Sequence, residues 1–142
     1  MNKQEAIQVL LKAADFFEQQ SAGYKSWGKV EVLQIAMRLD NNEIITTPKS
    51  KALSSLTAQD IVVAAHDTVF SKIFSKRKKV QVILITQQEF ASQVKEEIPP
   101  ILDDQAQLLG VTVRIAKNDD DIIDSLNGRF ASVLLNGNSI CL

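Results

Sequence analysis

The apolar positions of this chain change period several times, and each change marks a new element. Ile7, Leu10, Leu11, Ala14 and Phe17 recur at helical spacing. Asn2 with Glu5 three residues on has the form of a capping box. A first helix is therefore predicted to run to about Gln20 and to stop before Gly23. Tyr24-Lys25-Ser26-Trp27-Gly28 reads as a loop. From Val30 the pattern turns to alternation, with Leu33, Ile35, Met37 and Leu39 on one side and Gln34, Ala36 and Arg38 on the other. That is the signature of a half-buried strand. Asp40-Asn41-Asn42 supplies turn chemistry, and residues 43–47 return as a hairpin partner ended by Pro48.

Further along, 49–53 reads as polar loop and Thr57-Ala58-Gln59-Asp60 as a single helical turn. Ile61-Val62-Val63 reads as a short buried strand. Asp67 or Thr68 can cap a helix carrying Val69, Phe70, Ile73 and Phe74 and ending in Lys76-Arg77-Lys78-Lys79. Residues 80–86, aliphatic and mostly β-branched, predict a strand covered on both faces and hence central in its sheet. A helix is expected over 88–97 with Phe90, Ala91 and Val94 inward, broken by Pro99-Pro100. A short helix from Asp103 is closed by Gly110, and 111–115 is a strand. Asn118-Asp119-Asp120-Asp121 opens another helix, its carboxylates matching the helix dipole, and Gly128 ends it. Residues 131–135 form a last clear strand, and Asn136-Gly137 turns it into a hairpin with 138–142. Helices and strands alternate, yet at least two connections are hairpins. The fold class expected is a single three-layer α/β/α domain with a mixed, largely antiparallel central sheet.

Composition narrows the function classes. The chain has 142 residues, 45% of them hydrophobic and 23% charged, with a net charge of −1. Such a balance gives no global field toward nucleic acid or an anionic membrane, so neither is expected as a partner. A single cysteine, Cys141, allows no internal disulfide. The first residues are polar and resemble no signal peptide. No apolar run approaches the roughly 18 residues of a spanning helix, and a cytoplasmic location is the expectation.

Four stretches resemble the class II aldolase/adducin family. Trp27-Gly28-Lys29-Val30-Glu31-Val32 is similar to its Trp-Gly-Asn-Ile-Ser segment. Ile45-Thr46-Thr47-Pro48-Lys49-Ser50, followed by Leu56-Thr57-Ala58-Gln59-Asp60-Ile61-Val62-Val63, resembles a Thr-Pro-Ser-Gly loop and a Leu-Thr-Pro-Glu-Asp-Ile-Val segment. The third stretch is the central strand. The fourth runs from Ile98-Pro99-Pro100 to the final hairpin, with Leu134-Leu135-Asn136-Gly137-Asn138. The resemblance implies a fold in which three histidines hold a divalent metal, typically zinc. The metal polarises an enediolate oxygen while a carboxylate moves the proton, and sugar phosphates are cleaved. It also implies an oligomer, and helices after the last hairpin, where this sequence ends at Leu142.

The residues depart from that chemistry. The His-x-His of the family would fall at Ile85-Thr86-Gln87 and the third histidine at Asn138, and no histidine stands at any of them. The acid/base glutamate would fall near Asp67. The phosphate-binding asparagine matches Lys29, the Ser-Gly pair Lys49-Ser50, and the Ser-Ser pair Ala65-His66. No metal or other cofactor is therefore expected. The expected function is a non-catalytic, aldolase-like domain, a pseudoenzyme working through self-association or as a subunit of a larger assembly. The alternative is binding of a sugar phosphate or other small anionic ligand, with Lys29, Thr47, Lys49 and Ser50 at the anion and Gln87 and Asn138 at its polar body. A metal-dependent aldolase using other ligands is the remote option.

Each candidate also has a plain structural reading. Lys29, Thr47, Lys49 and Ser50 could be solvated loop residues, His66 a surface or capping side chain, and Asp67 a helix cap. The run 76–79 reads as a solvated helix end, the acidic run 119–121 as a helix start, and Cys141 as an inert thiol.

Overall fold

The capping box at the start of the chain forms. Glu5 N–H donates to Asn2 Oδ1 at 2.9 Å and Asn2 N–H to Glu5 Oε2 at 3.1 Å, and α1 (Lys3–Ser21) follows. The structure is a computed structural model that describes residues 1–21, 30–88, 91, 93–100, 103–134 and 137–142. The loop expected over 24–28, and Lys29 with it, lies outside the described residues. After β1 (Val30–Arg38), Asn42 adopts a left-handed conformation with φ 65° and β2 (Ile44–Thr46) returns antiparallel, with Met37 opposite Ile45.

The remaining elements are β3 (Val62–Val63), α2 (Val69–Lys76), β4 (Val82–Gln88), α3 (Asp103–Leu108), β5 (Arg114–Ala116), α4 (Asp119–Ser125), β6 (Ala131–Leu134) and β7 (Asn138–Cys141). Among the described residues the seven strands form one sheet in the order β3-β2-β1-β4-β7-β6-β5. The strand expected to be central is the middle one of the seven. Only β5 and β6 pair in parallel, across α4; every other pairing is antiparallel. This is the mixed, largely antiparallel sheet expected from the hairpin signals.

Two cores lie on its two faces. On one, Ala6, Leu10 and Ala14 of α1 meet Ile35, Met37 and Ile45. On the other, Phe70, Ile73 and Phe74 of α2 and Ile122 and Leu126 at α4 cover Ala36, Ile83, Ile85 and Ile140. Three layers result. Full burial of each such aliphatic side chain contributes about 1.5–3 kcal/mol.

Several expectations change on contact with the tertiary structure. Over its second half β1 is buried on both faces, including Arg38. The guanidinium donates to Phe74 O at 3.0 Å, to Val80 O at 2.6 Å and to Lys78 O, and it lies over the Phe74 ring. A charged residue on the nominally polar side is therefore an internal brace, because the C-terminal carbonyls of α2 need donors. Arg77 acts similarly. It donates to Leu126 O and, at 3.0 Å, to Arg129 O, and covers Phe130, so the basic run is only in part a solvated helix end.

Val62 and Val63 are 47% and 49% exposed, not buried. They form an edge strand that meets β2 alone. Leu53, read as polar loop, is buried under α1 in a 3₁₀ turn, Leu53–Ser55. Thr68, not Asp67, caps α2, its hydroxyl accepting from Ser71 N–H at 3.3 Å.

Of the helix expected over 88–97, Glu89, Phe90 and Ser92 lie outside the described residues, Gln88 belongs to β4, Ala91 and Gln93 lie in a 3₁₀ turn, and Val94 to Glu97 are not helical. The reason is that β4 extends to pair Gln88 with Val30, while Ile98 bridges to Val113. Ala91 and Val94 still face inward, into a small cluster with Val113. That bridge also takes Val113 out of β5, which begins later than expected, at Arg114.

Arg38→Ala leaves three carbonyls without their donor and is expected to cost about 3 kcal/mol of unfolding free energy in urea titrations. Arg38→Lys should recover only part, since an ammonium neither forks nor stacks. A cost below about 0.5 kcal/mol would mean that water replaces the guanidinium. A second expectation concerns the turn Ala58–Asp60. The Lys51 ammonium at 2.7 Å, then the Thr57 hydroxyl and N–H, hold the Asp60 carboxyl down from 3.8 to about 2. Because the folded value is the lower one, this contact stabilises above about pH 4 and its contribution fades as pH falls toward 2. A carboxyl ¹³C titration should give a midpoint near 2, moving upward in Lys51→Met. An ordinary carboxylate midpoint in the natural sequence would contradict the contact.

Candidate functional site

One register irregularity shapes the site. β1 and β4 pair from Val30 opposite Gln88 to Met37 opposite Val82, but Val32 faces Thr86 while Gln34 faces Ile85. Leu33 is the extra residue of a β-bulge, and a bulge puts two successive side chains on one face. Val32 accordingly packs with the α1 core, whereas Leu33 turns to the α2–α4 side. The strict alternation expected for Leu33 is therefore broken, and Leu33 and Gln34 both look into the same cleft.

That cleft has a volume of about 200 Å³. Leu33 and Gln34 of β1, Ile85 of β4 and Asn138 and Ile140 of β7 line it from the sheet. Val69 of α2, Asp119 and Ile122 of α4, and Lys49 from the turn after β2 complete it. Cross-strand pairing explains the convergence. Gln87 is opposite Asn138 and Ile85 opposite Ile140, so all four side chains share a face. The cleft thus opens where the central strand ends, next to Gln87.

Of the residues singled out from the sequence, Lys49 and Asn138 line this cleft. Ile85, at the first of the three histidine-matching positions, lies between them in the lining. Gln87 is exposed two residues further along the same face and is not part of the lining. Ser50 is exposed beside Lys49. Lys29 lies outside the described residues. Thr47 is fully buried, and its groups serve the backbone. Its hydroxyl accepts from Ile35 N–H at 3.0 Å, its N–H donates to Ile35 O at 3.0 Å, and its carbonyl accepts from the Gln34 amide at 3.2 Å. Thr47 thereby fixes the turn that carries Lys49 against β1.

His66 and Asp67 are exposed in the loop before α2 and do not line the cleft. Asp119 is the lining residue that sequence reasoning passed over, because a helix start already accounted for it. Asn118 caps α4, accepting from Asp120 and Asp121 N–H at 3.0 Å each, so Asp119 is free of the capping task. Lys72 donates to Asp120 at 2.8 Å. That bond raises the Lys72 pKa, with the charges of Asp119 and Asp67 adding to it, and lowers that of Asp120. Burial pushes the Cys141 thiol up, which leaves it protonated and unreactive.

The donor set does not suit a metal ion. An isoleucine offers no lone pair, and the amides of Gln87 and Asn138 are neutral oxygen donors where zinc takes imidazole or thiolate. Among the described residues no three His, Cys, Asp or Glu side chains come together to hold a cation. No helix among the described residues is long and apolar enough to cross a membrane.

No protein-family model matches the sequence, and no curated protein does. Solved structures do match in fold. An L-fuculose 1-phosphate aldolase superposes with a TM-score of 0.77 at 16% identity, over 99% of this chain and 76% of its own. YgbL from Escherichia coli gives 0.77 at 12% identity, over 97% and 78%. An aldolase II superfamily protein from Pseudomonas syringae gives 0.67 at 14% identity, over 99% and 67%. At such identities the likeness carries the architecture alone: this chain is similar to class II aldolases in fold, with a mixed seven-stranded sheet between helices.

Proposed function

We propose that this chain is an aldolase-like domain without metal-assisted cleavage, a pseudoenzyme that works in the cytoplasm by associating with itself or within a larger assembly. The observation that carries the reading is the set of side chains at the ends of β4 and β7. Ile85, Gln87 and Asn138 share one face at the positions that the resemblance assigns to three imidazoles. An enediolate oxygen would meet an aliphatic group and two neutral amides there, with no Lewis acid to polarise it. Support for association comes from the edge strand β3, whose exposed Val62 and Val63 are paired on one side only. α1 adds exposed Val9 and Phe16. Nucleic acid has no place in this reading, since the chain carries a net charge of −1 and its Arg77 is engaged internally.

A second reading is favoured by the cleft itself. Lys49 and Asp119 bring two opposite charges, and Gln34 and Asn138 two amides, to a hollow otherwise lined by aliphatic side chains, the composition of a site for a small polar molecule such as a phosphorylated sugar.

Sedimentation equilibrium of the natural sequence is expected to give a mass above the 15.7 kDa of one chain. Val63→Lys, which charges the edge, is expected to return it to a monomer. A single-chain mass at every concentration would end the self-association reading. Purified protein in added zinc is expected to carry no stoichiometric metal and to leave L-fuculose 1-phosphate intact, and cleavage would overturn the non-catalytic reading. The combined variant I85H/Q87H/N138H should gain one zinc ion per chain, because its three imidazoles would share a face on paired strands. Should that variant fold poorly, Q87H/N138H should bind zinc more weakly than the triple variant but more tightly than the natural chain.

A further inference from the structure

We infer that the cleft takes a small zwitterion, a molecule with an ammonium and a carboxylate on a short apolar body. This rests on the second reading above, that the cleft binds a small polar molecule, and it changes the chemical class of that molecule. Two charges of opposite sign reach the cleft from separate elements, Lys49 from the turn after β2 and Asp119 from the first turn of α4. Among the described residues the side chain of neither makes a hydrogen bond or an ion pair, although Asp119 also acts at a distance on Lys72. An anion alone would gain from Lys49 and be repelled by Asp119, and a cation alone would meet the reverse. A ligand bearing both charges satisfies both, and it adds no net charge to a hollow whose described lining sums to zero.

The rest of the lining fits the same class. The Gln34 amide nitrogen donates to Thr47 O, and its carbonyl oxygen is an acceptor suited to an ammonium. Leu33 and Ile85 give an apolar floor for a short side chain. The cleft, of about 200 Å³, is small. It has room for a small amino acid.

The test is a ¹H–¹⁵N titration of the full chain with four probes: L-valine, N-acetyl-L-valine, L-valinamide and inorganic phosphate. L-valine is expected to shift the amide signals of Leu33, Gln34, Ile85 and Ile140 at millimolar concentration. Loss of either charge should weaken binding by about tenfold, the range of one well-placed charge contact. Lys49→Ala should weaken L-valine by a similar factor and strengthen L-valinamide, while Asp119→Asn should weaken L-valine and strengthen N-acetyl-L-valine, since each variant removes the charge that repels the singly charged probe. Phosphate or N-acetyl-L-valine binding as well as L-valine would overturn the zwitterion and keep the cleft as a site for anions. No shift with any probe would overturn both the ligand class and the reading on which it rests.

Discussion

The register between β1 and β4 is the constraint on which the rest of this structure depends. Side chains on a strand alternate with a period of two, so a slip of one residue would send every core position to the wrong face. Here the two longest strands pair along most of their length, and the one irregularity, at Leu33, is confined to the end nearest the cleft. Below it, Ile35 and Met37 stay under α1 while Ala36 and Ile83 stay under α2. Above it, the extra residue swings Leu33 into the space that Ile85 and Asn138 border. One inserted residue thus lets a strand serve a core at one end and line a hollow at the other.

The two helices that roof this hollow are held by arginines. Arg38 reaches from β1 to a carbonyl at the end of α2, and Arg77, just beyond α2, reaches the carbonyl that closes α4. Guanidinium suits the task because it is weakly hydrated and planar, and it offers several donors where helix ends leave several acceptors. Phe74 and Phe130 cover the two charged planes and make desolvation less costly. The Lys72–Asp120 pair adds a further tie between α2 and α4, though an exposed one worth little by itself. Val69, Asp119 and Ile122 therefore face the sheet from helices whose ends are fixed.

Much of this was legible in the sequence, and the failures share a cause. The Asn2–Glu5 box, the turn at Asp40-Asn41-Asn42 and the central place of β4 are local or compositional signals, and all of them form, while the turn expected at Asn136-Gly137 lies partly outside the described residues. What the sequence conceals is the neighbour. Ile61-Val62-Val63 has the composition of a buried strand, yet Val62 and Val63, in the last strand of the sheet among the described residues, are about half exposed. Arg38 looks like a solvent-facing residue until α2 is laid over it. The helical pattern over 88–97 yields to β4, whose final residue already has a partner in Val30. For the site, family likeness pointed to Lys49, Ile85 and Asn138, which do share a cleft. Asp119 went unnoticed because its role at a helix start was explanation enough. Only tertiary structure puts it opposite a lysine from a distant loop.

The proposed reading, in which no imidazoles stand at positions 85, 87 and 138, agrees with the energetics of the strand ends. Three histidines converging on an empty position are costly, since their lone pairs face one another and each can take a proton that repels the next. An isoleucine at position 85 reverses that sign. It is buried and extends the apolar floor from Ile83 and Ile140, worth about 1.5–3 kcal/mol when fully covered. Gln87 and Asn138 then occupy the rim, where neutral amides carry no charge to desolvate and the backbone pairing between them is complete in itself. Stability and metal chemistry make opposite demands on such positions, and Ile85, Gln87 and Asn138 meet the first. On the proposed reading the hollow at the end of β4 is shaped by the bulge at Leu33, and what it accepts follows from the charges at its mouth.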